Sequence, residues 1–319
     1  MSMSREHERP GSGPAPDTRH GSDLEAAKIA ALPVRHPRRV RGPVGAAIVL
    51  LGVAVVVDVL VENKNVGWGE IGHYLFDGAI LDGLVLTSWL TAVAMAVGIV
   101  LGIVLALMRL SSNPFLSWAA RGYIWFFRGT PVLVQLVFWY NLAALFPRLS
   151  VGVPFGGPAF VSGSATAIIT PYAAALLGLG LNEAAYMAEI VRGGLKSVDE
   201  GQVEAARALA MTFPQVTRKI VLPQAMRVIV PPTGNQVIGM LKLTSLVSVI
   251  ALSDLLYSAQ TIYGHNFETI PLLIVVSIWY LALTTVLSFG QMFIERRFSR
   301  GAPTRAKRRA PIPDEAVIA

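Results

Sequence analysis

Residues 84–108 read LVLTSWLTAVAMAVGIVLGIVLALM, a predominantly apolar stretch with no charge before Arg109. About 20 such residues form a helix long enough to cross the roughly 30 Å hydrocarbon core of a bilayer. Five weaker apolar stretches accompany it, so we predict an all-α, polytopic integral membrane protein with about six transmembrane helices. The other predicted spans are Val44–Val61, about Tyr123–Leu145, about Ala165–Met187, about Val228–Leu256 and Ile270–Ile294.

The composition also indicates a membrane protein. The chain of 319 residues has a mean hydropathy of +0.55 and 15% charged residues, whereas soluble domains carry about a quarter charged residues. It has no cysteine, which excludes disulfides, thiolate metal sites and cysteine nucleophiles. The sequence contains no GxxxxGK[ST] phosphate-binding loop, and its histidines lack metal-ligand spacing. We therefore predict no catalytic site, no bound cofactor and no metal.

Lysine and arginine flank the spans unevenly. They concentrate in the two tails and in the loop after the fourth span, whereas the connections after the first and third spans hold only Lys64 and Arg148. Because such cations stay in the cytoplasm, both termini of this multi-pass protein of the cytoplasmic membrane are predicted to lie inside. The net charge of +7 then reflects orientation and contact with membrane lipid, not nucleic-acid binding.

Two tails and one further helix flank the main domain. Residues 1–42, rich in Pro, Gly, Ser and charge, are predicted to be a disordered basic cytoplasmic tail. Residues 43–62 are predicted to be an extra N-terminal transmembrane helix, and residues 297–319 a second basic cytoplasmic tail.

The loop after the fourth span has the pattern of two short helices. Ser197 and Glu200 have the spacing of a capping box, and Thr212 and Gln215 repeat it. Good helix formers follow the first box, and the second helix is predicted over about residues 214–221, ending before a proline. The bend between the two helices is predicted at Phe213.

One face of this loop carries small and apolar side chains. Three- and four-residue spacing places them together: they are Ala205, Ala206, Leu209, Ala210 and Phe213. Small side chains let another backbone approach closely. From spacing alone, the face either docks against a partner protein or lies under the transmembrane bundle.

The same loop resembles a known family. Glu204–Ala210 (EAARALA), followed by Ile220–Pro223 (IVLP), resembles the E-A-A loop of binding-protein-dependent ABC importer permeases. Other stretches are similar to motifs of the polar amino-acid permeases: Phe126–Gln135 (FFRGTPVLVQ), Ala185–Gly194 (AYMAEIVRGG), Gly201–Gln202, Leu222–Ala225 (LPQA), Pro231–Asn235 (PPTGN) and Leu241–Ile250 (LKLTSLVSVI). The resemblance implies an importer transmembrane domain over residues 80–296, with a coupling loop at 193–223. Ala210 departs from the glycine usual there, and Leu243 from an aspartate.

The resemblance implies a non-catalytic permease that carries a polar amino acid and pairs with itself or with a second permease chain. Cytoplasmic ABC ATPase subunits, which bind ATP and magnesium, are expected to dock on the loop. An extracytoplasmic binding protein is expected to deliver the amino acid. By this analogy the ATPase-coupling residues are Glu204, Ala205, Ala206, Leu209, Ala210 and Phe213.

Polar residues inside the predicted spans are the candidates for the substrate path, because each is costly in hydrocarbon. They are Lys242, Thr244, Ser245, Glu183, Asn182 and Gln135. Lys242 is predicted to lie past mid-membrane and to meet a substrate carboxylate, or else to pair structurally with Glu183. An alternative function is a proton-coupled secondary amino-acid transporter that uses Glu183, Asp58 or Lys242, but it assigns no role to the helical loop.

Overall fold

The computed structural model describes residues 43–152 and 159–299. This part of the chain is helical except for one β-hairpin. The α-helices are α1 (Pro43–Glu62), α2 (Trp68–Tyr74), α3 (Gly78–Leu110), α4 (Pro114–Gly129), α5 (Val132–Tyr140), α6 (Leu142–Leu145), α7 (Ala165–Ile168), α8 (Pro171–Lys196), α9 (Glu200–Ala208), α10 (Phe213–Val216), α11 (Leu222–Leu243), α12 (Leu255–Asn266) and α13 (Thr269–Ser299). The predicted tail 1–42 and residues 300–319 of the predicted tail 297–319 lie outside the described residues, whereas residues 297–299 belong to α13.

Three shorter segments complete the helical part. A 3-10 turn covers Lys64–Val66, a π-helical turn covers Thr217–Val221, and a second 3-10 segment covers Thr244–Ile250. The hairpin pairs β1 (Arg148–Gly152) with β2 (Ala159–Ser164) in antiparallel register. The all-α prediction omitted this hairpin, since it falls in a connection between spans.

Helix α1 belongs to a unit of its own that ends at Asn63. It has 20 residues, so its length is about 30 Å at 1.5 Å per residue. Large apolar side chains are exposed along it, among them Ile48, Leu51 and Val59. A helix that is apolar on every side is suited to lipid rather than water.

Fewer uninterrupted spans occur than the six predicted. Within the described ranges three helices, α3, α8 and α13, are individually long and apolar enough to cross a membrane, and a bent pair ending in α12 brings the number to four. The predicted third span is divided at Pro131, which follows the end of α4 and is the N-cap of α5. Proline has no N–H to continue a helical ladder and restricts the residue before it.

The predicted fifth span is also interrupted. The helical run Phe213–Ile250 meets α12, which begins at Leu255, at an angle of 45°, so the bend falls in the last residues of the predicted span. Helix α11 passes into the 3-10 segment, which ends at Ala251 in the left-handed conformation with φ 55°. Pro231 and Pro232 lie inside α11 rather than at its start. Gln291 of α13 donates a hydrogen bond to the Pro231 carbonyl at 3.3 Å, which connects α13 to α11 at the prolines.

Glycines allow α3 and α8 to pack closely. A Cβ added at Gly98 would lie 2.6 Å from Cγ of Glu183, and one at Gly102 would lie 2.5 Å from Cβ of Met187. Small residues at such contacts let the backbones of membrane helices approach each other. The α3–α8 pair therefore forms the centre of the main core, in which Leu90, Leu179 and other apolar side chains are fully buried.

Candidate functional site

The first loop helix begins differently from the prediction. Ser197 ends α8, where both its N–H and its hydroxyl donate to the Gly194 carbonyl, at 3.3 and 2.7 Å. Asp199 is the N-cap of α9 and makes no side-chain capping hydrogen bond. The predicted Ser197–Glu200 capping box is therefore wrong, because the Ser197 side chain is engaged at the end of the preceding helix.

The bend of the loop lies at Ala210, not at the predicted Phe213. Ala210 has a φ of 56°. Its N–H donates to the Arg207 carbonyl at 2.9 Å, and the Met211 N–H donates to the Ala206 carbonyl at 3.2 Å. These two bonds form a Schellman motif, whose left-handed residue is usually glycine. The conformation that glycine favours is thus present although the residue is alanine.

The second loop helix begins as predicted but does not end as predicted. The Thr212 N–H donates to Oε1 of Gln215 at 2.9 Å, so this capping box is confirmed. After α10 the chain does not stop before Pro223. It continues through the π turn directly into α11, with Pro223 in the first turn of α11. Because the helix is continuous here, the missing N–H of Pro223 interrupts its hydrogen-bond ladder, and the π turn, in which the Leu222 N–H donates to the Thr217 carbonyl, lies directly before this interruption.

A hydrogen bond between two glutamines connects the two halves of the loop. Nε2 of Gln224 donates to Oε1 of Gln202 at 2.6 Å and to the Ile220 carbonyl at 3.0 Å. Gln202 lies on α9 and Gln224 on α11. Their motifs, Gly201–Gln202 and Leu222–Ala225, stood out in the sequence, but nothing there indicated that they meet.

The predicted coupling face divides into an inner and an outer part. Leu209 and Phe213 are 78% and 77% exposed, and Glu204, Ala205 and Ala210 are exposed as well. Ala206 is only 5% exposed and points inward. Two large apolar side chains thus project from the bend, a surface that is typical of a protein–protein contact. We call Glu204, Ala205, Leu209, Ala210 and Phe213 the loop surface.

Gln135 and Asn182 lie together at the break between α4 and α5. Both are buried. Nε2 of Gln135 donates to the carbonyls of Phe127 and Thr130, each at 3.1 Å. Nδ2 of Asn182 donates to the Phe127 carbonyl at 2.8 Å and to Oε1 of Gln135 at 3.4 Å. The two amides therefore satisfy carbonyls that the proline break leaves without helical partners.

Glu183 is buried between three helices. It packs against Gly98 of α3 and accepts hydrogen bonds from Nε2 of Gln236 on α11, at 3.1 and 3.3 Å. Lys242 lies six residues further along α11, about 9 Å at 1.5 Å per residue, and its side chain is exposed. In the described part of the chain no ion pair joins Lys242 to Glu183. The ion pair between Lys242 and Glu183, which was one of the two alternatives predicted from the sequence, is therefore not formed.

Lys242 and Ser245 instead line a groove against α13. Its volume is about 420 Å³, and its other lining residues are Ser277, Tyr280, Leu281 and Thr284. Thr244 is fully buried beside it and donates to the Leu241 carbonyl at 2.6 Å. The residues predicted for the substrate path thus lie in three places: Gln135 and Asn182 at the α4–α5 break, Glu183 between three helices, and Lys242 and Ser245 in this groove with Thr244 beside it. We call it the lysine groove.

A second polar cavity lies where α3, α8 and α12 begin. Its volume is about 380 Å³, and its polar lining residues are Asp82, Tyr172, Ser253, Tyr257, Ser258 and Thr261. Beside it the fully buried Asp254 caps α12 by accepting from the Tyr257 N–H at 2.9 Å. No sequence pattern indicates this cavity, because its residues come from three distant segments. We call it the acidic pocket.

No constellation for metal chemistry occurs in residues 43–152 and 159–299. There, no group of three or more His, Asp or Glu side chains is placed to hold an ion.

Comparison with protein families gives a match over most of the chain. Residues 98–300 match the family described as the inner membrane component of binding-protein-dependent transport systems. The matched segment includes the loop surface, the lysine groove and most of the described helices.

Individual relatives agree with that match. The chain is 42% identical over 283 residues to the arginine transport system permease protein ArgU of Corynebacterium glutamicum, covering 88% of this chain and 86% of that protein. It is 38% identical to the octopine transport system permease protein OccM of Rhizobium meliloti, covering 73% and 90%. It is 33% identical to the glutamate/aspartate import permease protein GltK of Escherichia coli, covering 68% and 92%.

Solved structures share the fold. A crystal structure of an amino acid ABC transporter with histidines aligns with a TM-score of 0.58 at 35% identity, covering 69% of this chain and 94% of that chain. The MetNI methionine ABC transporter in an inward-facing conformation aligns with a TM-score of 0.52 at 20% identity, covering 69% and 96%, which shows the fold alone.

Proposed function

Because the chain belongs to the inner membrane components of binding-protein-dependent transport systems and is the non-catalytic permease of an ABC amino-acid importer, we propose that it carries cationic amino acids of the arginine type. The observation that carries the proposal is the 42% identity to an arginine transport permease over 88% of the chain. ATP is hydrolysed by a partner ATPase, and a binding protein supplies the substrate. The proton-coupled alternative has no support once the family is known.

The acidic pocket supports a cationic substrate. It presents the carboxylate of Asp82 beside the rings of Tyr172 and Tyr257. A guanidinium or ammonium group is attracted both by a carboxylate and by the face of an aromatic ring. Serine and threonine hydroxyls complete the lining and can accept its remaining N–H groups. In our proposal this pocket holds the substrate side chain.

The lysine groove supplies a positive charge, that of Lys242, for the carboxylate of the substrate. A free amino acid always carries a carboxylate, and the exposed ammonium of Lys242 suits such a group. Ser245 also lines the groove, but its hydroxyl donates to the Lys242 carbonyl at 2.8 Å, so Lys242 is the donor in our proposal. Glu183, Asn182, Gln135 and Thr244 are bonded to protein groups, and in our proposal they hold the helices around the path.

The loop surface is, in our proposal, where the ATPase docks. Leu209 and Phe213 project from the bend and fit an apolar groove on a partner, while Glu204 is exposed and can pair with a cation there. Ala206 is buried, so in our proposal it does not contact the ATPase directly. We further propose that two permease chains associate in the membrane and that both termini lie in the cytoplasm.

We propose to test the substrate class with the whole transporter reconstituted in vesicles, with its binding protein and ATPase. Asp82→Asn is expected to raise KM for arginine uptake roughly fivefold, since a partly exposed ionic contact contributes about 1 kcal/mol. Glu70→Gln, which removes an exposed carboxylate on α2, is the matched control and leaves KM unchanged. Transport of glutamate in preference to arginine by the wild type contradicts the proposal.

Lys242→Met is expected to raise KM in the same assay, for arginine and for any other amino acid that is carried, because it removes the cation that meets the carboxylate. An unchanged KM refutes the proposal that Lys242 binds the substrate carboxylate. It does not affect the proposed substrate class, which the Asp82→Asn variant tests separately.

A further inference from the structure

Helices α3 and α12 are in close contact beside the acidic pocket, at Gly83. A Cβ added at Gly83 would lie 2.6 Å from Oγ of Ser258, 2.9 Å from the carbonyl oxygen of Asp254 and 3.0 Å from its carbonyl carbon. The Asp254 carbonyl oxygen accepts the Ser258 N–H at 2.9 Å in the first turn of α12, so this backbone is held in place. Any side chain at position 83 would hold the two helices further apart, and glycine permits their close approach.

A buried hydrogen bond joins the same two helices one turn further along α3. The Leu255 N–H donates to Oγ1 of Thr87 at 3.0 Å, and both residues are fully buried. The N–H groups in the first turn of a helix have no partner within that helix, so Thr87 satisfies a donor that the start of α12 leaves open. Because residues four apart share a helix face, Gly83 and Thr87 together set the separation of α12 from α3.

Neither Gly83 nor Thr87 lines the acidic pocket, but the residues before them, Asp82 and Leu86, line it from α3. Tyr257 lines it from α12. The separation of the Asp82 carboxylate from the Tyr257 ring therefore depends on the buried contact between the two helices. This matters for the ligand, because a guanidinium is planar and stacks on aromatic rings, whereas an ammonium is compact and strongly hydrated.

We propose that Gly83 and Thr87 are positioning residues that set the width of the acidic pocket and thereby its preference for a guanidinium over an ammonium group. In this proposal, as in the proposed function on which it rests, the pocket holds the substrate side chain. A larger residue at position 83 moves α12 away from α3, and loss of the Thr87 hydroxyl releases the start of α12. Either change widens the pocket, so arginine loses its fit while the hydrated ammonium of lysine is still admitted.

The test is equilibrium binding of radiolabelled arginine to the purified complex of permease and ATPase in detergent, with lysine as the competitor. The binding protein is left out, so that the ratio of the two dissociation constants reports the preference of the permease. Thr87→Val is expected to lower the preference for arginine over lysine roughly fivefold, as for the loss of a partly exposed ionic contact. Thr87→Ser keeps the hydroxyl and is expected to retain the wild-type preference. Gly83→Ala is expected to change the preference in the same direction as Thr87→Val.

Each variant has a matched control on the same helix. Thr91 is a buried threonine whose hydroxyl donates to the Thr87 carbonyl within α3, at 2.8 Å, so Thr91→Val leaves the contact with α12 intact. Gly102→Ala places its added Cβ against α8 and not against α12. Both controls are expected to leave the preference unchanged even where they lower the melting temperature. A role in stability alone predicts a lower melting temperature in Thr87→Val with an unchanged ratio of the dissociation constants.

Size-exclusion chromatography confirms that each variant is folded, and Thr87→Val, which keeps the shape of the side chain, decides the test if Gly83→Ala does not fold. An unchanged preference in Thr87→Val, or an equal loss of preference in Thr91→Val, overturns the role of the two positioning residues. If Asp82→Asn weakens arginine binding in the same assay, the proposed use of the pocket stands despite that result. Arginine binding that is absent in the wild type or unchanged in Asp82→Asn overturns the use of the pocket and the positioning role together.

Discussion

Gly102→Ala is predicted to destabilise the transmembrane core although alanine is the better helix former. The added Cβ would lie 2.5 Å from Cβ of Met187, 3.0 Å from the Ala188 nitrogen and 3.1 Å from the Ala184 carbonyl oxygen. Two of these atoms belong to the α8 backbone and cannot rotate away. Overpacking of this kind costs up to about 3 kcal/mol, and the helix propensity of alanine offsets about 1 kcal/mol.

The net loss is therefore about 2 kcal/mol, and the midpoint of thermal unfolding is expected to fall by roughly 3 °C for a chain of 319 residues. Gly122→Ala is the matched control, because an added Cβ at this exposed position of α4 meets nothing within 4 Å. It retains only the propensity gain of about 1 kcal/mol and is expected to raise the midpoint.

The assay is the apparent melting temperature of each variant in one detergent, followed by static light scattering and by tryptophan fluorescence. The two glycine variants are expected to shift in opposite directions from the wild type. If Gly102→Ala melts at or above the temperature of Gly122→Ala, the close α3–α8 contact does not govern stability and the reasoning fails.

Three further predictions concern the loop and the α4–α5 break. Glu204→Lys is expected to abolish substrate-stimulated ATP turnover by the complex while insertion stays normal; unchanged turnover excludes a role in coupling. Ala210→Gly is expected to stabilise the loop by up to about 1 kcal/mol, since alanine is strained at a φ of 56°. The measurement is hydrogen exchange of the Met211 amide, which is expected to become slower in the variant; faster exchange contradicts the prediction. Asn182→Leu removes one of the two donors to the Phe127 carbonyl, which keeps the Gln135 amide, and is expected to cost about 1 kcal/mol; an unshifted melting temperature argues against the bond.

The apolar spans could be predicted because their signal is local and repeated. Leu84–Met108 lies within α3, and the Thr212–Gln215 capping box forms where its spacing indicates. The count of spans was less predictable. Pro131 and Ala251 interrupt two stretches whose composition alone suggests continuous helices.

The contacts that organise the site could not be predicted from the sequence. Gln135 and Asn182 are 47 residues apart, and they meet because the break at Pro131 leaves carbonyls that need donors. Ala210 is an alanine in a left-handed conformation, and no local propensity indicates this. The acidic pocket joins residues from three helices, so only the tertiary fold brings Asp82 near Tyr172.

The π turn has a mechanical consequence. Because Thr217–Val221 joins α10 to α11 without a loop, the chain is helical from Phe213 to Gln236. This helical segment is about 35 Å long at 1.5 Å per residue. Gln236 holds the buried Glu183. Helix α9, by contrast, is joined to this helical segment through the turn at Ala210 and the hydrogen bond between the side chains of Gln202 and Gln224. If the ATPase docks at Phe213 as we propose, Phe213 is connected to Glu183 through helical backbone, whereas α9 is connected to it only through a turn and one side-chain hydrogen bond.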